Sequence, residues 1–117
     1  MDIRLKRAYE TANNVDGKRV LVDGLWPRGV AKEKLALYQW QKDIAPSAEL
    51  RKWFAHDRDK WPEFKQRYRQ ELSSGEQQTA FESLRALCGE NRVTLVFSAK
   101  DEQCNNAVVL KELLQNG

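Results

Sequence analysis

Two polar stretches of the chain hold the side chains best suited to chemistry. The first, Asp23-Gly24-Leu25-Trp26-Pro27-Arg28-Gly29, sets a carboxylate and a guanidinium on either side of a tryptophan. Arg28 offers a planar fork that matches phosphate or carboxylate. Pro27 restricts the loop and Gly29 loosens it. Asp23 could act as general acid or base, or hold Arg28 in place. Trp26 could stack on a ring or cap the core. The second stretch, Ser98-Ala99-Lys100-Asp101-Glu102-Gln103-Cys104-Asn105-Asn106, brings Lys100 to neutralise an anion and Asp101 to orient it through the lysine or serve as base. Asn105 and Asn106 add amide donors and acceptors, for a helix cap or for a polar ligand. The expected site is therefore Asp23 and Asp101 as catalytic candidates, with Trp26, Arg28, Gly29, Lys100, Asn105 and Asn106 as ligand contacts.

Each of these residues also has a plainer reading. The tryptophan-proline-arginine segment serves as a structural turn if Arg28 pairs with Asp23. Cys104 sits where a helix start can depress a thiol pKa. No histidine is near it in sequence, which favours an incidental thiol. Cys88 falls on the apolar side of a helix and reads as core. His56, the one histidine, follows Trp53-Phe54 and precedes Asp57, a place for capping a short helix or for the surface, or for shuttling protons if the loop folds over the strand ends, with capping or surface favoured. One histidine and two scattered cysteines do not build a zinc site, so neither a metal nor a cofactor is expected.

The elements that must position these loops follow from the hydrophobic pattern. Ile3 to Tyr9 alternates apolar and basic, the pattern of a strand, and Arg4, Lys6 and Arg7 could face nucleic acid or, equally well, make a solvated edge. Asp16-Gly17 marks a turn. Arg19-Val20-Leu21-Val22-Asp23 is a second strand, ended by Gly24. A helix is expected over Ala31–Lys42. Ser47 is a good N-cap for a short helix containing Leu50, Trp53 and Phe54. From about Lys60 to Leu72, Trp61, Phe64, Tyr68 and Leu72 make one helical stripe. A further helix turns Phe81, Leu84, Leu87 and Cys88 inward, with Gly89 at its C′ position. Val93-Thr94-Leu95-Val96-Phe97 reads as a buried parallel strand, and the apolar run after Asn106 as the last helix. Both polar stretches thus follow strands, and the second precedes a helix, where free N–H groups and a positive dipole end favour anions.

Strands joined by mainly helical connections make this an α/β chain. The expected form is one domain over residues 1–117, with a small Rossmann-like sheet, parallel or mixed, of about three to four strands and helices packed on it. The charge balance, 20 basic against 17 acidic residues for a net +3, permits an anionic ligand. It is too mild for the footprint of a dedicated nucleic-acid binder. No apolar run follows Met1 and no stretch has transmembrane length, so a cytoplasmic protein with reduced thiols is expected.

Several blocks together resemble a known family. They are Asp16-Gly17, Arg19 to Asp23, Leu25-Trp26-Pro27-Arg28-Gly29, Ala45-Pro46-Ser47 with Glu49-Leu50-Arg51, and Ser98 to Glu102 with Asn105-Asn106-Ala107. The chain is similar along nearly its whole length to the YeaO-like family, within the group called domain of unknown function 488. The resemblance implies a small Rossmann-like domain, in outline like rhodaneses and cysteine phosphatases, with an anion held by a loop after a late strand. Two departures stand out. Gly24 occupies a place where the family motif usually has an arginine. The phosphatase-type loop also needs a cysteine at the strand end and an arginine at the helix start, where this chain has Ser98 or Ala99 and Asn105 or Asn106. The functional expectation is a domain that binds or processes a small anionic ligand, phosphorylated or nucleotide-like, at the strand ends. The alternative is a noncatalytic protein-interaction or nucleic-acid-associated module, for which four tryptophans would supply an aromatic face.

Overall fold

The computed structural model describes residues 1–116, and within them a sheet of four parallel strands. β1 spans Ile3–Arg7, β2 Lys18–Leu21, β3 Gln39–Trp40 and β4 Val93–Phe97, in the spatial order β1-β4-β2-β3. The last strand in sequence is thus an inner one. β4 runs beside β1 from Ile3–Val93 to Arg7–Phe97, and beside β2 from Lys18–Val93 to Leu21–Val96. All of its residues are buried, which is why it reads as an unbroken apolar run.

Five α-helices are described. α1 (Lys32–Leu35) is a single turn; α2 (Ala48–Phe54), α3 (Trp61–Glu71), α4 (Gly75–Glu90) and α5 (Asn106–Asn116) carry the core. Ile3, Val20, Val22, Val93, Leu95 and Phe97 pack on one sheet face against Leu50, Phe54, Phe64, Tyr68, Leu84 and Leu110. The stripe expected on α3 is the one buried there, and Ser47 Oγ accepts the Leu50 N–H at 3.1 Å as the α2 cap. The opposite face is smaller. Leu21 and Val96 meet Leu35, with Trp26, Val30, Leu37 and Trp40 packed around them.

The expected helix over Ala31–Lys42 is not formed. Ala36 takes the left-handed conformation, φ 47°, and its N–H closes on the Lys32 carbonyl, which ends α1 after one turn. Tyr38 N–H then bonds the Arg19 carbonyl, and Gln41 N–H the Leu21 carbonyl. The open edge of β2 offers backbone partners that a short helix with little apolar periodicity cannot match. Gly89 likewise lies inside α4, which runs one residue further and stops where Asn91 turns extended.

The basic first strand is an edge, but two of its three cations face inward. Lys6 Nζ reaches both Asp16 oxygens at 3.2 Å, and Arg19 Nη1 donates to the same carboxylate at 2.7 Å. Arg19 also donates through Nε to the Leu35 carbonyl at 2.9 Å, and Thr94 Oγ1 donates to the Asp16 carbonyl at 2.7 Å. Burial works against the Asp16 charge, yet the Asn13 N–H, Lys6 and Arg19 prevail and hold its carboxyl below the ordinary value. This cluster fixes the connection between β1 and β2.

Candidate ligand-binding site

At the carboxyl ends of β2 and β4 the two polar stretches meet. An open cleft of about 820 Å³ lies between them, within the ~300–1,000 Å³ usual for small-molecule sites. Asp23, Trp26, Arg28, Lys100, Asp101, Asn105 and Asn106 all line it. Gly29 does not: it is exposed at φ +77°, turning the chain behind Arg28 with nothing near its Cα hydrogens.

The floor is built from the strand ends. Asp23 Oδ2 accepts the Ser98 N–H at 2.8 Å, with the Ser98 hydroxyl and the Asn106 amide as polar neighbours. Burial pushes the Asp23 carboxyl above its ordinary value, against that hydrogen bond, those neighbours and the more distant positive charge of Arg51. Asn106 Nδ2 donates to the Val22 carbonyl at 3.0 Å, tying α5 to the end of β2. Behind it the Tyr68 hydroxyl donates to the Ile44 carbonyl at 2.5 Å. Burial, with the negative charges of Asp23 and Glu71, holds that phenol protonated well above its usual range.

Several of the candidates hold the loops themselves. Asn105 caps α5: its Oδ1 accepts the Val108 N–H at 3.1 Å and its Nδ2 donates to the Asp101 carbonyl at 2.9 Å. Asp101 is fully engaged. Arg58 grips both oxygens, at 2.8 and 2.9 Å, and the Gln103 and Cys104 N–H groups bond Oδ1 at 3.0 and 3.1 Å. Those bonds lower its carboxyl pKa, Arg58 foremost. Neither the pairing of Arg28 with Asp23 nor that of Lys100 with Asp101 is formed. Trp26 Nε1 donates to the Val30 carbonyl at 2.8 Å and its ring meets Trp40 edge-on at 5.4 Å, so it braces the loop while one side borders the cleft. The Cys104 thiol is raised by burial and by Asp101, with Arg58 and Lys65 opposing.

Other residues also line the cleft. Arg51 and Phe54 come from α2, Pro46 from the turn before it, Phe64 from α3 and Tyr9 from beyond the end of β1, and none of these was legible as a site residue; His56, weighed as a cap or a proton shuttle, lines it from the turn after α2. Arg51 reads in sequence as solvating charge. Its one signal is membership of the Ala45-Pro46-Ser47…Glu49-Leu50-Arg51 block. Arg7 is the other omission: from the edge strand it donates to the Ser98 and Ala99 carbonyls at 3.0 and 2.9 Å and so sets the course of the second loop.

The arginines at the rim differ from those elsewhere. Of the arginines in the chain, Arg28 and Arg51 are the two whose guanidinium makes no hydrogen bond, ion pair or ring contact among the described residues, and both line the cleft. Lys100 is equally unpartnered. Between rim and floor, Phe54, Phe64, Pro27 and Pro46 make the walls apolar. The cleft can therefore take a compact molecule with an anionic end and an apolar body. Among the described residues no three His, Cys, Asp or Glu side chains converge as a metal ion requires, and no helix is long and apolar enough to cross a membrane.

Each of the four tryptophans is half-buried and has a partner within the protein. Trp26 and Trp40 pack on each other, Trp53 is covered by Arg67 and Lys60, and Trp61 stacks on Phe64 beneath Lys65.

A family model described as the inactive DUF488-N3 subclade matches residues 2–117. The chain is 41% identical over 116 residues to the uncharacterized protein YeaO of Escherichia coli, covering 99% of each. It is 40% identical over 112 residues to the uncharacterized protein Rv3073c of Mycobacterium tuberculosis, covering 96% of this chain and 92% of that one. No solved structure matches the chain.

Proposed function

This chain belongs to the inactive DUF488-N3 subclade of the domain of unknown function 488, and from that membership we propose that it binds a small anionic molecule at the strand ends without transforming it. The observation that carries the reading is the pair of unpartnered arginines, Arg28 and Arg51, on one cleft with Lys100 beside them. A guanidinium held at a concave surface with no internal carboxylate is free to take a phosphate or carboxylate from solution.

Binding is favoured over chemistry by what surrounds the rim. Asp101, the obvious base of the second loop, is spent on Arg58 and two main-chain N–H groups. Burial and the Asp101 carboxylate raise the pKa of the one thiol at the cleft, which disfavours its nucleophilic thiolate. No histidine or amine is bonded to a serine or cysteine there as nucleophilic catalysis requires. Asp23 remains as a group able to exchange a proton, and the Ser98 hydroxyl beside it is paired with no histidine or amine among the described residues. The word inactive in the subclade's description accords with this.

Titration calorimetry with ribose 5-phosphate at low salt tests the proposal. Millimolar or tighter binding is expected, weakened about tenfold by Arg28→Ala and by Arg51→Ala, with the phosphorus NMR signal of the ligand unchanged after a day. Affinity indifferent to both substitutions would move the site elsewhere, and release of inorganic phosphate would make the protein an enzyme.

A further inference from the structure

Resting on the reading that a phosphate sits at the rim, we infer that Asp23 recognises the far end of the same guest, and that this end is an exocyclic amino group on a flat heterocycle. The guest class is then a nucleoside monophosphate whose base carries an amino group.

The argument starts from unused acceptor capacity. A carboxylate offers about four lone-pair positions. The hydrogen bond the protein supplies to Asp23 is the Ser98 N–H on Oδ2 at 2.8 Å. No cation among the described residues lies within ion-pair distance of it, and Arg51 acts only from further away. Acceptor capacity is therefore left on a carboxylate that lines the cleft, where desolvation by a guest without a donor would carry a penalty.

The guest is narrowed by what lies between. Phe54, Phe64, Pro27 and Pro46 form walls suited to a ring and not to a second charge. A guest whose phosphate is held by Arg28 or Arg51 can present its other end to Asp23, which lines the same cleft. An imino N–H in a uracil-like base is flanked by two carbonyl oxygens, which a carboxylate repels. An exocyclic amino group protrudes from its ring and is the donor that carboxylates take from cytosine in nucleic-acid recognition.

The test compares pairs that differ at that group. Calorimetric affinities are measured for adenosine against purine riboside 5′-monophosphate, and for cytidine against uridine 5′-monophosphate, with ribose 5-phosphate as the base-free reference. At least one amino-bearing nucleotide is expected to bind about tenfold tighter than its partner, the size of one good hydrogen bond to a charged group. Asp23→Asn, which keeps an oxygen for the Ser98 N–H, is expected to cut that ratio below about threefold while ribose 5-phosphate binds as before. Equal affinities within both pairs, with ribose 5-phosphate still bound, overturn the inference and leave anion binding intact. A ratio that survives Asp23→Asn removes Asp23 from the role. Absence of binding by every compound, ribose 5-phosphate included, overturns both readings. The comparison within pairs uses the unaltered protein and does not depend on the variant folding.

Discussion

The Asp23 carboxylate accepts the Ser98 N–H at 2.8 Å at the point where β2 and β4 part company. One step earlier the two strands are still joined by main chain, Val22 N–H to Val96 carbonyl at 3.1 Å. Beyond it the Ser98 N–H turns to a side chain and the Val22 carbonyl turns to the Asn106 amide. Side chains therefore complete the ladder while the backbones diverge, and the divergence opens the cleft. The same bond carries a carboxyl group into a poorly solvated floor. A group placed there for function is expected to burden stability.

That burden has a sign. Burial raises the folded-state pKa of Asp23 above its unfolded value, so the folded protein holds this proton more tightly than the unfolded chain. Its favourable contribution is complete below the unfolded value and is lost as pH rises through the folded one. At neutral pH the charged carboxylate therefore costs stability. Asp23→Asn is expected to gain on the wild type as pH rises from 3 to 7, in thermal midpoints measured side by side. A gap that narrows with rising pH would mean that the carboxylate is held by a stronger partner than Ser98 and Asn106.

Two glycines separate backbone necessity from open space. Gly17 sits at φ +66°, and a Cβ there would come within 2.3 Å of the Arg92 carbonyl oxygen. That oxygen accepts the Lys18 N–H at 2.9 Å, so it cannot retreat without loss of the bond that starts β2. Gly24, on the cleft, has no positive φ, and a Cβ would meet only the Ala45 methyl at 3.5 Å, an ordinary contact. Gly17→Ala is expected to cost about 2 kcal/mol or more from left-handed strain and clash together, and Gly24→Ala less than about 1 kcal/mol. Urea melts of the two variants check the contrast.

Sequence patterns read the fold well where burial sets the pattern. β4, the α3 stripe and the Ser47 cap were legible because each obeys a local period or a local hydrogen bond. β3 was not, because Gln39–Trp40 is a strand only through the edge of β2, a partner far away in sequence. The site was legible as two loops, since polar residues after apolar strands are a local signal. Arg51 and Arg7 were hidden for one reason: both look like surface charge, and only the fold shows Arg7 on the Ser98 and Ala99 carbonyls and Arg51 facing the cleft. Gly29 looked like ligand contact because a flexible residue beside an arginine has the same letters whether it faces a guest or solvent.

The buried Lys6-Asp16-Arg19 cluster should be intolerant of losing its acid. Arg19 is almost fully buried, and its Nη2 already lacks a partner among the described residues. Asp16→Ala would leave a guanidinium and a half-buried ammonium without their counter-charge, a change that costs about 3–5 kcal/mol in buried pairs. Since the Asp16 pKa is lowered on folding, its contribution is present above the unfolded value and is lost as pH falls towards the folded one. Chemical melts at neutral pH should show the loss in full, and the wild-type advantage should shrink in acid. A variant within about 1 kcal/mol of wild type at neutral pH would mean that water or Asn13 replaces the carboxylate.

Cys104 decides how inert the cleft is. It stands next to the α5 cap, where a helix N-terminus would ordinarily favour a thiolate. Against that, burial and the Asp101 carboxylate both raise its pKa, while Arg58 and Lys65 pull the other way and do not prevail. Asp101 is tied to the Cys104 N–H at 3.1 Å, so the negative charge cannot swing clear of the thiol without uncapping the loop. The alkylation rate with iodoacetamide is therefore expected to rise with a midpoint above the ordinary thiol value of 9.0, and to be slower at neutral pH than that of a free thiol. Cys88, buried in α4 and pushed up to about 11, should stay unlabelled while the protein is folded, so one label per chain is the expected count. Rapid labelling of Cys104 with a midpoint below neutrality would give the cleft a working nucleophile, and the case for binding without chemistry would fall with it.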